Sequence, residues 1–268
     1  MITSLNNAKI KHLKELEQKA RTRNKENLFV AEGFKMFMEA PDNLIKEVYV
    51  EEGTFSEIND KAPSSHFIDI GSKIDALTKK GVFTEIVSTD VFKKASDTES
   101  PQGIIFVMEK LKYELDDVCG KNLLVLEDIQ DPGNLGTMIR TAEGAGASGV
   151  IMSKNTVDIY NPKVVRATMG SLYRVPFLYT DDLLETIDEI REKGYKTYAA
   201  HLKGKVFYDE IDYGLSAFLI GNEGNGLSDE TAAKADEYIK IPMEGKLESL
   251  NAAISAAILM YNARNSIK

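Results

Sequence analysis

The hydrophobic rhythm of the chain changes near its middle. Over the first hundred residues, apolar positions come in short groups separated by charged ones. Ile10, Leu13 and Leu16 recur at three-residue spacing, which predicts one face of a helix over residues 6–22. "NLFVAEG" reads as a short strand, and "FKMFMEA" as a short helix stopped by Pro41. "IKEVYVEE", "HFIDI" and "TEIVS" read as further strands, with helices over "SKIDALTKK" and "DVFKKAS". The polar stretch "SDTESPQG" closes this small α/β unit, and "IIFVMEK" and the polar connector "YELDDVCGKN" follow it. The boundaries expected are a first domain over 1–100, a linker over 101–121 and a second domain over 122–268.

From residue 122 the alternation is regular. The near-continuously apolar stretches "NLLVLE", "GVIMS", "KTYAAH", "SAFLIG" and "EYIKIP" read as strands. Helices over 134–146, 162–169, 182–193, near 228–235 and 249–264 separate or follow them. The pair Asn161-Pro162 opens one of these with an N-cap and a proline at the first helical position. Strands of this kind divided by helices predict a parallel sheet covered on both faces. In such sheets, ligands sit where loops leave the C-terminal ends of the strands.

Gly144, Gly146 and Gly149 spell the G-x-G-x-x-G of a dinucleotide fingerprint. That fingerprint works only after a strand and at the start of a helix, where backbone N–H groups meet a pyrophosphate. Here the glycines close a helix and precede a strand, so they read as a helix stop and a tight turn. A nucleotide-dependent oxidoreductase is disfavoured on this ground.

Composition narrows the classes further. A chain of 268 residues with 43% hydrophobic and 28% charged residues fits a soluble globular protein of one large or two ordinary domains. One cysteine, Cys119, excludes an internal disulfide framework and any multi-cysteine metal site, and fits a reducing, cytoplasmic compartment. His12, His66 and His201 are scattered, so no metal is expected. The polar, charged start and the shortness of "LNAAISAAILMY" imply neither a signal peptide nor a membrane role. Net charge is −9, a poor general match to nucleic-acid binding. The charge is uneven, however: residues 9–25 carry Lys9, Lys11, Lys14, Lys19, Arg21, Arg23 and Lys25 against Glu15 and Glu17. By charge alone this is either a local basic footprint or a solvated helix face.

Three polar loops follow apolar strands. In "EDIQDPGNLGTMIRTAEGAG", Asp131-Pro132-Gly133 form a turn, with Asn134 at the helix entrance and Arg140 nearly two turns further on. "FLIGNEGNGLSDE" runs from a strand into three glycines and two asparagines, which exposes backbone donors and acceptors to a small planar ligand or makes a plain connector. In "IKIPMEGKLESLNAAISAAILMY", Ser249 and Asn251 stand at the start of a helix rich in small residues, suited to close packing in a core or at a subunit interface.

Together, "DPGNLGTMIRTAEGAG", "IGNEGNGLS" and "IPMEGKLESLNAAISAAILMYNA" resemble, in order, the three motifs of the SpoU/TrmH-type branch of the SPOUT RNA methyltransferases. The resemblance covers about residues 122–264. "KARTRNKENLFVAEGFKMFMEA" and "SPQGIIFVM" look more loosely like that family's ribosomal-protein-like α/β substrate-binding domain. What the resemblance implies is S-adenosylmethionine-dependent methyl transfer to a ribose 2′-hydroxyl of structured RNA, with ribosomal RNA ahead of transfer RNA. It also implies a parallel sheet ending in a trefoil knot, which sequence rules alone would not suggest, and a homodimer. A non-catalytic RNA-binding relative is the alternative class.

Carried over by position, Asn134, Arg140, Glu223, Ser249 and Asn251 match the family's catalytic set. Leu219, Gly221, Asn222, Gly226, Ile241, Met243 and Leu250 match its cofactor contacts or their neighbours. Arg140 is the family's proposed base, yet a guanidinium has no lone pair with which to take a proton. It is therefore either a strongly perturbed base or an orienting group for the adjacent phosphate. The resemblance also turns Lys9, Lys11, Arg21, Arg23, Lys25 and Arg166 into expected RNA contacts, because phosphate contacts dominate RNA affinity. Thr168 and Gly170, beside Arg166, are expected at the edge of the site.

Overall fold

The fold is that of a computed structural model, which describes residues 1–60, 62–201, 204–246 and 249–266. The chain divides into two compact units, Met1–Leu111 with Tyr160–Tyr173, and Lys112–Ile159 with Arg174–Lys268.

The first unit runs α1 (Ala8–Gln18), α2 (Ala20–Glu26), β1 (Leu28–Glu32), α3 (Phe34–Glu39), β2 (Ile45–Glu51), α4 (Glu52–Ile58), α5 (Ser65–Lys79), β3 (Phe83–Val87), α6 (Thr89–Ala95) and β4 (Ile104–Glu109). Its four strands lie in the order β1-β4-β2-β3, with β4 antiparallel to both neighbours and β3 parallel to β2. One core joins Ile10, Leu13 and Leu16 of α1 to Val30, Tyr49, Ile105 and Val107 of the sheet.

Four features of this unit depart from the sequence expectations. The helix expected over 6–22 is interrupted at Lys19, whose backbone is extended. Arg23 explains the break: it is 3% exposed, and its Nη1 donates to the carbonyls of Leu16 at 2.7 Å and Glu17 at 2.9 Å. Those are carbonyls that the end of a helix leaves without an intrahelical partner. Arg23 is thus a helix-end anchor, and its burial removes it from the expected RNA contacts. "HFIDI" is helical, not a strand, because Ile70, Ile74 and Leu77 bury one face of α5 at helical spacing. Five residues are too few to separate a period of 2 from one of 3.6. The expected linker over 101–121 contains β4, whose first five residues are all buried. An apolar run of that kind is what a central strand requires. Finally, the segment holding α9 (Pro162–Ala167) clusters with this unit. Tyr160 packs its ring on Phe29 at 4.7 Å and donates from its hydroxyl to the Leu111 carbonyl at 2.9 Å.

In the second unit come α7 (Leu115–Val118), β5 (Asn122–Leu126), α8 (Pro132–Ala145), β6 (Gly149–Ser153), β7 (Phe177–Thr180), α10 (Leu183–Glu192), β8 (Lys196–Ala200), β9 (Val206–Phe207), β10 (Ser216–Ile220), α11 (Asp229–Ala233), β11 (Glu237–Lys240) and α12 (Ala252–Ser266). Its seven strands are parallel throughout, in the order β7-β6-β5-β10-β8-β11-β9. Strands β5, β6 and β10 are buried along their whole length, as a sheet covered on both faces demands. Of the fingerprint glycines, Gly146 takes a left-handed φ of 74° and caps the end of α8. A Cβ at Gly149 would lie 2.5 Å from that of Val118. Both glycines serve the helix stop and the turn into β6.

Glu17, close to the end of α1, carries an ionisation that couples this fold to pH. Burial, and then the charges of Asp97 and Glu32, push its pKa from 4.5 up to about 8. The folded state therefore prefers the neutral carboxyl. Its cost is absent below pH about 4.5, grows as pH rises toward 8 and is complete above it. Glu17→Gln removes this dependence: thermal melting should show a raised Tm at pH 8 and no change at pH 4.

Candidate functional site

A cleft of about 360 Å³ opens at the C-terminal ends of β8, β10 and β11. Three segments line it: 220–227 after β10, 239–243 at the end of β11, and residues 249, 250, 252 and 255 around the start of α12. Ala200 and His201 at the end of β8 complete it.

The segment after β10 is a closed loop. Asn222 and Gly226 exchange backbone hydrogen bonds at 3.0 and 2.9 Å. The Asn222 Oδ1 accepts from the N–H groups of Gly224 at 2.9 Å and Asn225 at 3.1 Å, while its Nδ2 donates to the Asp128 carbonyl at 2.8 Å. This closure requires glycine at one point: a Cβ on Gly221 would meet the backbone of Gly226 and Leu227 at 2.1 Å.

Two carboxylates are exchanged between the loops that follow the adjacent strands β5 and β10. Glu127, after β5, accepts from Ser228 N at 2.8 Å, Ser228 Oγ at 2.7 Å and Thr231 Oγ1 at 2.5 Å, at the N-terminus of α11. Glu223, after β10, accepts from Gln130 N and Asp131 N, both at 3.1 Å, and from Asn134 Nδ2 at 3.0 Å, at the N-terminus of α8. Each loop therefore supplies the anion for the helix that follows the other strand, where free N–H groups and the helix dipole favour it. For Glu223, burial is the largest influence and pushes its pKa up. The donors from Asn134, Gln130 and Asp131 together outweigh it and hold the group below the usual carboxylate range.

Asn134 can reach Glu223 because it does not cap its own helix. Asp131 is the N-cap, accepting from Asn134 N at 2.7 Å, and Pro132 is the first helical residue. The helix expected to begin at Asn134 thus begins two residues earlier, and the Asn134 amide is left for other partners. Its Oδ1 accepts from Asn251 Nδ2 at 2.9 Å. Asn251 is in turn the N-cap of α12, accepting from Ala253 N at 2.8 Å. Glu223, Asn134 and Asn251 thus form one string across all three loops, and Ser249 lines the cleft beside it.

Arg140 is not in this string. It is exposed on α8, and its side chain has neither a hydrogen bond nor an ion pair among the described residues. Of the expected cofactor contacts, Gly221, Asn222, Gly226, Ile241, Met243 and Leu250 line the cleft. Leu219 does not: it is 0% exposed and packs in the core with Leu123 and Val125, because its position in β10 points it beneath the sheet. Of the expected RNA contacts, Lys9 pairs with Glu47 and lies 4.5 Å over the Phe83 ring. Lys11, Arg21 and Lys25 are exposed, and Arg166 stands 3.8 Å from Asp97. Thr168 is 0% exposed and bonds the Val165 carbonyl at 2.7 Å, so it packs rather than edges a site.

Sequence reasoning missed Glu127, Asp128 and His201. The rule that loops at the C-terminal ends of parallel strands form sites would have pointed to His201, just after "KTYAA". Asp128 carries a left-handed φ of 53°, and Ser153 Oγ donates to its carboxylate at 2.6 Å. No spacing in the sequence signals that conformation. Among the described residues, no helix is long and apolar enough to cross a membrane.

Residues 121–261 match the SpoU rRNA Methylase family, and residues 7–105 match the MRM3-like substrate binding domain. The chain belongs to the SpoU rRNA methylase family. It is 34% identical over 266 residues to the 23S rRNA (guanosine(2553)-2′-O)-methyltransferase RlmP of Bacillus subtilis (strain 168), covering 98% of each chain. An AdoMet-bound rRNA methyltransferase from Sinorhizobium meliloti shares 32% identity and a TM-score of 0.85, over 100% of this chain and 98% of that one. A solved RNA 2′-O ribose methyltransferase shares 27% identity and a TM-score of 0.77, over 99% of this chain and 98% of that one.

The closed loop gives a direct check on this geometry. Gly221→Ala should cost about 1–3 kcal/mol, read as a lowered urea midpoint, because the methyl group has no space. Gly224→Ala, whose Cβ would meet only Asn222 Oδ1 at 3.4 Å, should stay within about 0.5 kcal/mol.

Proposed function

We propose that the chain transfers a methyl group from S-adenosylmethionine to a ribose 2′-hydroxyl of ribosomal RNA. The observation that carries this reading is the join between the cleft and the Glu223–Asn134–Asn251 string. A binding cavity and a set of polar side chains meet at the ends of the same strands. Family membership and the AdoMet-bound relative support it.

The cleft fits the methyl donor. Gly221 and Gly226 present main chain without side-chain obstruction, and Ile241, Met243 and Leu250 add apolar contact for the adenosine and the methylene groups of the methionine part. S-adenosylmethionine, when bound, supplies a methyl carbon made electrophilic by its sulfonium. The chain's own work is to align a hydroxyl with that carbon and to help its proton leave, and alignment can supply much of the rate. Glu223 serves as an anchor rather than a base, because three donors already engage its carboxylate. It fixes the turn at 130–134 and aims Asn134, while Asn251 and Ser249 stand beside it to orient the hydroxyl. Arg140, an exposed guanidinium with five donors and no acceptor, binds the neighbouring phosphate. Its charge eases loss of the hydroxyl proton to solvent water as the oxygen takes the methyl group and the sulfonium becomes a neutral thioether.

Three further parts of the reading follow. The first unit holds the RNA, through Lys11, Arg21, Lys25 and Arg166 among others. A trefoil knot at the C-terminal end of the sheet is part of this reading; what supports it is that β11 lies beyond β8 while α12 packs back on α8, β5 and β10. A second copy of the chain covers α12, where Ile254 is 52% and Tyr261 43% exposed on a helix otherwise rich in small residues. The cytoplasm is the compartment of this reading, supported by an rRNA substrate and by a sequence with one cysteine.

Purified protein with labelled S-adenosylmethionine should methylate 23S rRNA, and ribose-methylation mapping should locate the site. Arg140→Ala should lower kcat at least about 100-fold with cofactor affinity by calorimetry unchanged; a collapse of that affinity would overturn the assigned role. Ile254→Asp should yield a monomer in light scattering and lose methyl transfer.

A further inference from the structure

Phe34, His66 and Phe67 form an aromatic cluster on the surface of the first unit. Phe34 is the first residue of α3, directly after Gly33, whose φ of 106° turns the chain sharply out of β1. Gly33 N donates to the Ile104 carbonyl at 3.0 Å, so the turn is tied to β4. His66 and Phe67 lie in the first turn of α5, against which α3 packs. Phe34 meets His66 at 5.2 Å and 86°, and Phe67 at 5.8 Å and 89°; His66 and Phe67 lie 5.7 Å apart at 54°.

Aromatic groups elsewhere in the chain, such as Phe37 on Phe106 or Tyr198 with Tyr213 and Phe218, are closed inside the two cores. This one is open: His66 is exposed, Phe34 and Phe67 are half-buried, and neighbouring Ile68 is 52% exposed. Edge-to-face contacts also leave π faces uncovered, and a face-to-face stack would not. Of the phosphate-contact candidates of this unit, Lys11, Arg21 and Lys25 are on α1 and α2 and Arg166 is on α9; all four supply charge, and none belongs to this aromatic group. The cluster supplies planes with little charge, apart from Lys35, which pairs only loosely with Glu39 at 3.9 Å.

We propose that Phe34, His66 and Phe67 are a stacking platform for an unpaired RNA base. The proposal rests on the RNA reading above. The cluster falls within residues 7–105, which match a substrate-binding domain, and the substrate of that reading is RNA. Base-specific recognition of RNA falls on unstacked bases, which aromatic and histidine rings accept on their faces. An apolar protein segment is the other class that could cover these rings. An exposed imidazole within the group favours the base.

The test compares Phe34→Ala, Phe34→Leu, Phe34→Tyr and Phe67→Ala in the full-length protein. Affinity for a short single-stranded oligoribonucleotide is read by fluorescence anisotropy, and KM for a 23S rRNA transcript by methyl transfer. Both alanine variants should weaken the oligonucleotide, and raise the KM, by at least about fivefold, the low end for one stacked base. Duplex RNA affinity, cofactor affinity and kcat should not change. Phe34→Tyr should bind as wild type and Phe34→Leu as the alanine variant, because leucine keeps apolar volume but offers no plane. Equal binding by the tyrosine and leucine variants would reduce Phe34 to packing and overturn the proposal, as would alanine variants that bind RNA unchanged. A wild-type protein that binds the oligonucleotide but methylates no RNA would instead overturn the reading of the reaction and leave the platform standing.

Discussion

The exchange of Glu127 and Glu223 between neighbouring strands is the constraint on which the site depends. β5 and β10 are adjacent in the sheet but 94 residues apart in sequence, Asn122 pairing with Ser216. Main-chain pairing brings the strand ends together; it does not fix the loops beyond them. The two carboxylates do so, each accepting three hydrogen bonds at the N-terminal entrance of the helix that follows the other strand. A carboxylate at a helix N-terminus is stabilised by hydrogen bonds and by the dipole together. Here that stabilisation also sets the walls of a cleft.

The polar string grows from the same device. Because Glu223 engages the Asn134 amide, the Asn134 oxygen is presented to Asn251, and the third loop joins the first two. Three loops that would otherwise move separately share one set of hydrogen bonds. Such preorganisation suits a reaction in which the protein has little covalent chemistry to do and much aligning. The Arg140 side chain stands outside the string with no partner among the described residues, in keeping with the phosphate contact proposed for it.

The fold was legible where one period ran long enough. The five strands that the pattern predicts in the second unit and most helices are where it puts them, whereas β7 and β9, of four and two residues, are strands it does not predict. Misreadings came from short windows and from long-range partners. "HFIDI" is an apolar-rich run of only five residues, and the burial of Ile70, Ile74 and Leu77 decides for helix. Arg23 looks like one more cation in a basic stretch, and only the packing of α2 on α1 turns it into an anchor for carbonyls seven and six residues earlier. Leu219 neighbours Gly221 in sequence, yet strand alternation directs its side chain into the core.

The sequence by itself determined the classes: a parallel α/β sheet, three polar loops at strand ends, and glycines that stop a helix rather than hold a nucleotide. These follow from local periodicity and from backbone freedom at single residues. Tertiary structure alone decided which loop side chains meet. Glu127 reaches Ser228 and Thr231 across a separation of 101 and 104 residues, and Asn251 reaches Asn134 across 117. Hydrogen bonds act over about 3 Å, so only the order of strands in the folded sheet could choose those pairs.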